Sequence, residues 1–436
     1  MNNRHWITTA VLVLLLGLLI IAPASAQRDV AIIFSHVFTD RVRSGFIDDL
    51  IAEYNATHSG VTVTAQTANN YEDNLNGAVL ASLQGGAPHI VQVSGDYLWE
   101  AVDSNIFVPL QDIASREQFA SLRGDILAQT TIRYTFNDTL WALPFNTSSP
   151  ILYYNVDIFA EAGLSSSPET FDEVTAACAV IMNGRRSLDG CISWGVSGWY
   201  VEQWLAEQGA TLLNNNNGRS GDATLVLMTS DAMQNTFRWW GQLINQGWFA
   251  YTGRTADLTG SLEAFASGRV AMHISSSSNL PIVMDQAGFN VGTGFLPIPD
   301  GTQRNGVIAG GAGLWFTSGH SDAEYQAAVD FGLYLTSTAN GAAWHRATGD
   351  FPIRESAIGQ LQDDGWFDRN PAYRLAFDQL LNTQASAATA GAALANLPDL
   401  YAIIEAAAQS MIENGTAPQD ALLQALDRAG QLMARR

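Results

Sequence analysis

The feature that most limits the fold of this chain is an alternation of strand and helix patterns over residues 30–93. Three apolar or alternating runs in this region are typical of strands: Val30–Phe34, Val61–Ala65 and His89–Val93. Between them, residues 42–54 and Leu75–Leu83 carry apolar side chains at helical spacing. Alternating strands and helices predict a parallel, doubly wound sheet of the α/β class.

Polar residues follow each of these strands: Ser35-His36, Asn69-Asn70-Tyr71 and Ser94-Gly95-Asp96. In doubly wound sheets, ligands bind beyond the carboxyl ends of the strands. The pattern therefore predicts a ligand site at that edge, although a structural hydrogen-bonding role suits His36 equally well.

The N-terminal sequence is typical of a secretory signal. A basic residue, Arg4, precedes the apolar run Ile7–Ile21, and Ala24-Ser25-Ala26 forms a cleavage site. We therefore expect residues 1–26 to be removed and a soluble, exported protein, periplasmic or extracellular, to begin at Gln27. An uncleaved anchor helix is the alternative.

Composition limits the classes of partner. The chain has 436 residues, of which 47% are apolar, and this length favours two domains with large cores. All 21 basic residues are Arg, and 42 acidic residues give a net charge of −21. The absence of Lys excludes a phosphate-loop lysine or a Schiff base. The acidity argues against nucleic acid and anionic lipid as partners, and we expect a monomer.

The chain contains two cysteines, Cys178 and Cys191. In an exported protein they are suited to a disulfide, but two separate buried thiols explain the sequence equally well.

The stretch Leu143–Asn155 combines two prolines with an aromatic run. Pro144 and Pro150 disfavour helix at themselves and at the preceding residues, while Ile151–Tyr154 has strand preference. An extended segment of this kind suits a passage between two lobes, and a buried strand with a polar entry loop is the alternative.

This stretch resembles the first inter-lobe crossing of the periplasmic sn-glycerol-3-phosphate-binding proteins, within family 1 of the extracellular solute-binding proteins of ABC importers. Further segments match that family in order and spacing: Asn70–Leu75, Ala87–Val93, Phe249–Arg254, Gly310–Ala312, Ala343–His345 and Asn396–Pro398. The resemblance covers nearly the whole chain after the signal segment.

The resemblance implies a type II periplasmic-binding-protein fold, with a ligand cleft between two lobes. It implies hinge crossings near Asn146, Ser276 and Phe316. The N-terminal lobe would then comprise residues 27–146 and 279–316, and the C-terminal lobe residues 147–278 and 317–436. Such a protein captures a small-molecule solute and delivers it to membrane permease subunits of the importer.

Residue by residue, the family's ligand contacts are retained at four positions: Tyr71, Ser148, Ser276 and Gly311. The family's stacking tryptophan corresponds to Trp199. Three positions depart from the family, since its ligand-contacting Glu falls on Gly95 with Asp96 next to it, its cleft Tyr on Asp350 and its phosphate-side Arg on Tyr401. The loss of Arg and gain of Asp predict a carbohydrate or polyol, with sn-glycerol 3-phosphate or a glycerophosphodiester as the alternative.

Catalytic motifs are not evident. Neither G-x-S-x-G nor H-E-x-x-H occurs, and Asp363-Asp364-Gly365 lacks the ligand spacing of a calcium loop. We therefore predict a binding protein without a metal or cofactor. A secreted glycoside-acting enzyme, which needs only two carboxylates, and a structural cell-surface protein are the remaining alternatives.

Overall fold

The structure is a computed structural model that describes residues 29–183 and 187–434. The predicted signal segment, residues 1–26, lies outside these ranges. No helix within the described ranges combines the length and the apolarity that crossing a bilayer requires.

The strands, in chain order, are β1 Val30–His36, β2 Val61–Thr67, β3 Ile90–Ser94, β4 Phe107–Val108, β5 Thr135–Phe136, β6 Thr139–Leu140, β7 Leu143–Ser148, β8 Pro150–Asn155, β9 Gly190–Ser193, β10 Val270–Ser276, β11 Val291–Gly294 and β12 Gly310–Thr317.

The helices are α1 Arg41–Thr57, α2 Tyr71–Leu83, α3 Leu98–Asp103, α4 Leu110–Ile113, α5 Arg116–Arg123, α6 Ala128–Thr131, α7 Val156–Glu161, α8 Phe171–Met182, α9 Gly198–Glu207, α10 Asn214–Gly218, α11 Asp231–Asn245, α12 Leu258–Ala266, α13 Leu280–Gln286, α14 Asp322–Leu335, α15 Thr338–Thr348, α16 Glu355–Asp363, α17 Trp366–Arg369, α18 Pro371–Leu381, α19 Ala387–Ala390, α20 Leu397–Asn414 and α21 Pro418–Met433. Within α10, residues 215–217 are left-handed, which asparagine tolerates.

The first sheet has the strand order β2-β1-β3-β12-β4, and β7 also pairs with β12. β1 runs parallel to both β2 and β3, as the alternating sequence pattern predicts. β12 is antiparallel to β3 and β7, so its amino end lies at the edge where β3 and β7 end. Ile32 and Phe34 of β1 are fully buried in a core that also includes residues of α1 and α14.

The second sheet has the order β11-β8-β10-β9. Its core is rich in tryptophan, including Trp194, Trp204 and Trp240, which are almost fully buried. A disulfide joins Cys178 of α8 to Cys191 of β9, which decides between the two alternatives for these cysteines.

The chain first crosses between the sheets at Ser149, between β7 and β8, a few residues after the expected crossing near Asn146. It does not cross back near Ser276. After β10 it continues through α13, whose Leu280 and Val283 pack in the same core as Ile151, and β11 then pairs with β8. The second crossing is therefore the segment 295–309, and residues 280–294 belong to the second lobe rather than the first.

The third crossing also differs from the prediction near Phe316. After β12, α14 packs against β1 and α1 because its buried face, including Val329 and Phe331, completes the core of the first sheet. The chain leaves this lobe only after α15, where Phe351 N–H donates to the Thr147 carbonyl at 2.6 Å. Residues 322–335 therefore belong to the first lobe.

A buried glutamine holds the first two crossings together. Gln379 Nε2 donates to the Pro150 carbonyl at 2.6 Å and to Ser149 Oγ at 3.2 Å. Its Oε1 accepts from the Leu296 N–H at 2.6 Å. One side chain of α18 thus fixes the spacing of two of the three segments that connect the lobes.

Candidate functional site

A cleft of about 520 Å³ lies between the two lobes, at the edge where the carboxyl ends of the main parallel strands meet. All eight residues singled out from the sequence line it: Tyr71, Asp96, Ser148, Trp199, Ser276, Gly311, Asp350 and Tyr401. The structure thus brings the whole predicted set together from both lobes.

A larger cavity, of about 850 Å³, lies between Trp99 and α21. Its walls are mostly apolar, with Asp222 as the one charged side chain among the described residues that line it. Ligand sites combine an apolar wall with several convergent polar groups. The cleft between the sheets meets this description better.

Tyr71 begins α2 and is oriented by a chain of hydrogen bonds. Val37 N–H donates to Gln92 Oε1 at 2.9 Å, and Gln92 Nε2 donates to Asn146 Oδ1 at 2.9 Å. Asn146 Nδ2 then donates to the Tyr71 hydroxyl oxygen at 3.1 Å. Burial raises the pKa of Tyr71 to about 12, so the hydroxyl keeps its proton at neutral pH and offers it to a ligand oxygen.

Gly311 of β12 pairs with Thr147 of β7. Its φ is +92°, and a Cβ built there would lie 1.7 Å from the Asn146 carbonyl oxygen. No side chain fits this position, so the backbone itself forms the cleft wall. Trp199, from the second lobe, covers the neighbouring residue, because a Cβ on Gly310 would lie 3.0 Å from the Trp199 ring.

Ser148 and Ser276 place hydroxyls at the ends of β7 and β10. The Ser276 Oγ lies 2.8 Å from the Ser278 Oγ and accepts the Ser278 N–H at 3.2 Å. The serine cluster after β10 is therefore both a helix cap and a group of hydroxyls on the cleft wall.

Gly95 lies against the side chain of Arg133. A Cβ at Gly95 would lie 2.3 Å from Arg133 Nε, so Arg133 leaves no room for a side chain at this position. Arg133 is 2% exposed and forms an ion pair with Asp96, whose side chain is 29% exposed to the cleft. The buried Arg133, which the sequence did not indicate, thus holds the Asp96 carboxylate in place beside the cleft.

Tyr401 lies on α20 and lines the cleft from the second lobe. Its hydroxyl donates to the buried carboxylate of Glu202, whose Oε1 also accepts the Ala392 N–H at 2.6 Å. Burial, with the charge of Glu202, raises the pKa of Tyr401 far above its usual range. Since this hydroxyl is engaged inside the protein, Tyr401 presents mainly a ring to the cleft.

Asp350 and Arg43 face each other in the cleft. The Asp350 side chain is 3% exposed, and its Oδ2 accepts from Trp344 Nε1 at 3.2 Å. Burial raises the pKa of Asp350 to about 6, while the positive charge of Arg43 opposes this rise. Arg43 Nε lies 4.0 Å from Asp350 Oδ2, and Arg43 Nη1 lies 3.4 Å from Asp40 Oδ2.

Arg43 and Asp40 are cleft residues that the sequence reasoning missed. They stand at the start of α1, directly after β1, at the same strand edge that singled out Ser35 and His36. His36 itself is buried, and its Nδ1 accepts the Phe38 N–H at 3.2 Å. The strand edge singled out in the sequence therefore lines the cleft, while His36 has a structural hydrogen-bonding role.

One cluster has the residue types of a metal site. His89, His320 and Glu324 lie together at the end of β3 away from the cleft. However, the Ile33 N–H donates to His89 Nδ1 at 3.1 Å, so the neutral ring carries its proton on Nε2. A protonated nitrogen is not a metal ligand, and the cluster does not suit a resident ion.

The comparison with protein families decides the class of the chain. Residues 49–374 match the family described as bacterial extracellular solute-binding protein. The chain belongs to that family. The sn-glycerol-3-phosphate-binding periplasmic protein UgpB of Pectobacterium atrosepticum is 28% identical over 444 residues, covering 100% of this chain and 97% of the relative.

Solved structures confirm the two-lobed fold. UgpB from Mycobacterium tuberculosis in complex with glycerophosphocholine superposes with a TM-score of 0.76 at 20% identity, covering 93% of this chain and 98% of that one. The cyclic alpha-maltosyl-1,6-maltose binding protein from Arthrobacter globiformis gives 0.77 at 19% identity, covering 93% and 100%. The family and the fold expected from the resemblance are therefore both correct.

Proposed function

We propose that this solute-binding protein is the exported component of an ABC importer that captures a carbohydrate or polyol and delivers it to membrane permease subunits. Membership of the extracellular solute-binding family supports the class. The cleft between two lobes joined by three narrow crossings supports capture by hinge closure.

The charge of the cleft carries the choice of solute. Asp40, Asp96 and Asp350 line it, against Arg43 as the one positive side chain among its described lining residues. Carboxylates accept hydrogen bonds from hydroxyl groups and repel anions. Trp199 adds an aromatic face, which suits the apolar face of a sugar ring.

A glycerophosphate or glycerophosphodiester is the second candidate. The names of the relatives favour it, and Arg43 supplies a positive group that the sequence comparison did not foresee. Against it, Arg43 already faces two carboxylates, and the family's arginine position is Tyr401.

Several further properties belong to the same proposal. The chain acts as a binding protein and not as an enzyme, it works as a monomer without nucleic acid, and the mature form begins after residue 26. The relatives are named as binding proteins, which supports the first of these.

A thermal-shift screen of the mature protein tests the solute class. Maltose, ribitol, sn-glycerol 3-phosphate and glycerophosphocholine are added at saturating concentrations, and a true ligand raises the melting temperature by linkage. We expect the neutral solutes to stabilise the protein most. Stabilisation by the phosphate esters alone would favour the second candidate. In a separate assay, release of a sugar product on incubation with a glycoside would indicate an enzyme.

A further inference from the structure

Arg43 is placed to contact a solute from the first lobe. It lies in the first turn of α1, where its backbone N–H donates to Oδ1 of the cap residue Asp40 at 2.9 Å. Its side chain is 21% exposed and lines the cleft. Its Nη2 reaches across the cleft towards the Ser278 carbonyl of the second lobe at 3.4 Å.

The contacts of this guanidinium are long. Charge-assisted hydrogen bonds normally measure about 2.7–2.9 Å. Arg43 instead lies 3.4 Å from Asp40, 3.4 Å from the Ser278 carbonyl and 4.0 Å from Asp350. A guanidinium has five N–H donors, so Arg43 retains hydrogen-bonding capacity directed into the cleft.

Asp350 is the matching acceptor. Its carboxylate is almost fully buried beside Trp344, yet it lines the same cleft. The 4.0 Å separation between Arg43 Nε and Asp350 Oδ2 leaves the two groups near each other without a direct hydrogen bond. A donor and an acceptor therefore stand side by side on one wall.

We propose that Arg43 and Asp350 together bind two adjacent hydroxyl groups of one solute. An Arg43 N–H donates to the oxygen of one hydroxyl, and the neighbouring hydroxyl donates to the Asp350 carboxylate. The proposal rests on the proposed function and narrows its substrate class to solutes that carry a vicinal diol.

Charge and geometry favour a vicinal diol over the other solute groups that an arginine side chain can bind. A phosphate would satisfy Arg43 but would bring its negative charge against Asp350 and Asp40. An isolated hydroxyl would satisfy only one member of the pair. A vicinal diol is neutral and offers an acceptor and a donor at neighbouring atoms.

Calorimetric titration of four mature variants tests the proposal. Arg43→Gln, Asp350→Asn, their double variant and Arg43→Lys are compared with the wild type, using maltose, ribitol and sn-glycerol 3-phosphate. The control is Arg41→Gln, which removes the same charge from the same helix turn at an exposed residue outside the cleft lining. Circular dichroism spectra and melting curves establish that each variant is folded.

We expect each single substitution to weaken maltose or ribitol binding by about 10- to 100-fold, the effect of losing a hydrogen bond to a charged group. The double variant should lose less than the product of the two single losses, because one solute uses both groups. Arg43→Lys should not restore full affinity, and Arg41→Gln should change it less than about twofold.

Unchanged sugar and polyol affinity in both single variants, or an Arg43→Gln effect confined to sn-glycerol 3-phosphate, would overturn the inference and leave the proposed function standing. Fully multiplicative losses would show that the two residues act on separate groups, against a shared diol. If wild-type protein bound neither maltose nor ribitol and bound the phosphate ester, the proposed solute class would fail together with the inference.

Discussion

Replacing Asp350 by Asn should make the ligand-free protein more stable at neutral pH. In the folded chain, burial raises the pKa of Asp350 from its ordinary 3.8 to about 6. Between these pH values the folded state holds a proton that the unfolded state has released. The free energy of unfolding therefore falls as pH rises from about 4 to 6, and it stays lower above pH 6.

The size of the stability difference follows from the shift in the pKa of Asp350. Each pKa unit corresponds to about 1.4 kcal/mol, so the ionised Asp350 costs about 3 kcal/mol at pH 7.5. Asn cannot ionise, while its side-chain oxygen can still accept from Trp344 Nε1. The variant should gain up to about 3 kcal/mol at pH 7.5 but only about 1 kcal/mol at pH 4.5, where folded Asp350 is still largely protonated although an unfolded Asp has mostly ionised.

Urea unfolding followed by tryptophan fluorescence, at pH 4.5 and 7.5, measures this difference. Asp427→Asn on the exposed face of α21 removes the same charge and serves as the control. A stability gain that is equal at both pH values, or a loss at pH 7.5, would refute the argument from burial. Together with the expected loss of solute affinity, a gain would show that the carboxylate is kept for binding at a cost in stability.

Three other changes have expected outcomes. Gly311→Ala should lower the free energy of unfolding by at least roughly 1–3 kcal/mol in urea, because its Cβ meets a β7 backbone oxygen, while Gly77→Ala in α2 has open space and should not. Replacing Cys178 and Cys191 by Ser should cost about 2–4 kcal/mol in the same assay, and thiol titration of unreduced wild type should find no free thiol. Tyr401→Phe should cost about 1–3 kcal/mol, since the buried carboxylate beneath it loses a donor; an unchanged unfolding midpoint would contradict the assigned hydrogen bond.

The local pattern predicts the first half of the first lobe well. β1, β2 and β3 show clear strand runs, and parallel pairing follows from the helices between them. The rule that ligands gather at carboxyl ends of strands located Tyr71 and Asp96 without reference to any family. The remaining site residues came from the resemblance, because they lie far apart in the sequence.

The lobe crossings were harder to predict because they depend on strand pairing. β11 is a short strand, Val291–Gly294, with two glycines, so its sequence does not show that it pairs with β8. Likewise, α14 has an ordinary amphipathic pattern, and only its packing against β1 places it in the first lobe. Both features are non-local, and periodicity reports only local structure.

The positions of the charged residues Arg133 and Arg43 in the site also depend on non-local packing, which the sequence pattern does not report. Arg133 fills the space beside Gly95, a steric relationship between residues 38 positions apart in the printed sequence. Arg43 enters the cleft only because β1 and α1 bring it opposite Tyr401, a placement that depends on the packing of the two lobes. The net charge of the site therefore required the assembled structure.

Calorimetry on the mature wild-type protein tests most directly whether the cleft binds a neutral, hydroxyl-rich solute. Maltose, ribitol, sn-glycerol 3-phosphate and glycerophosphocholine are titrated under identical conditions at pH 7.5. We predict that maltose or ribitol binds more tightly than either phosphate ester. Tight binding of a phosphate ester, with no heat from the sugar or the polyol, would contradict it.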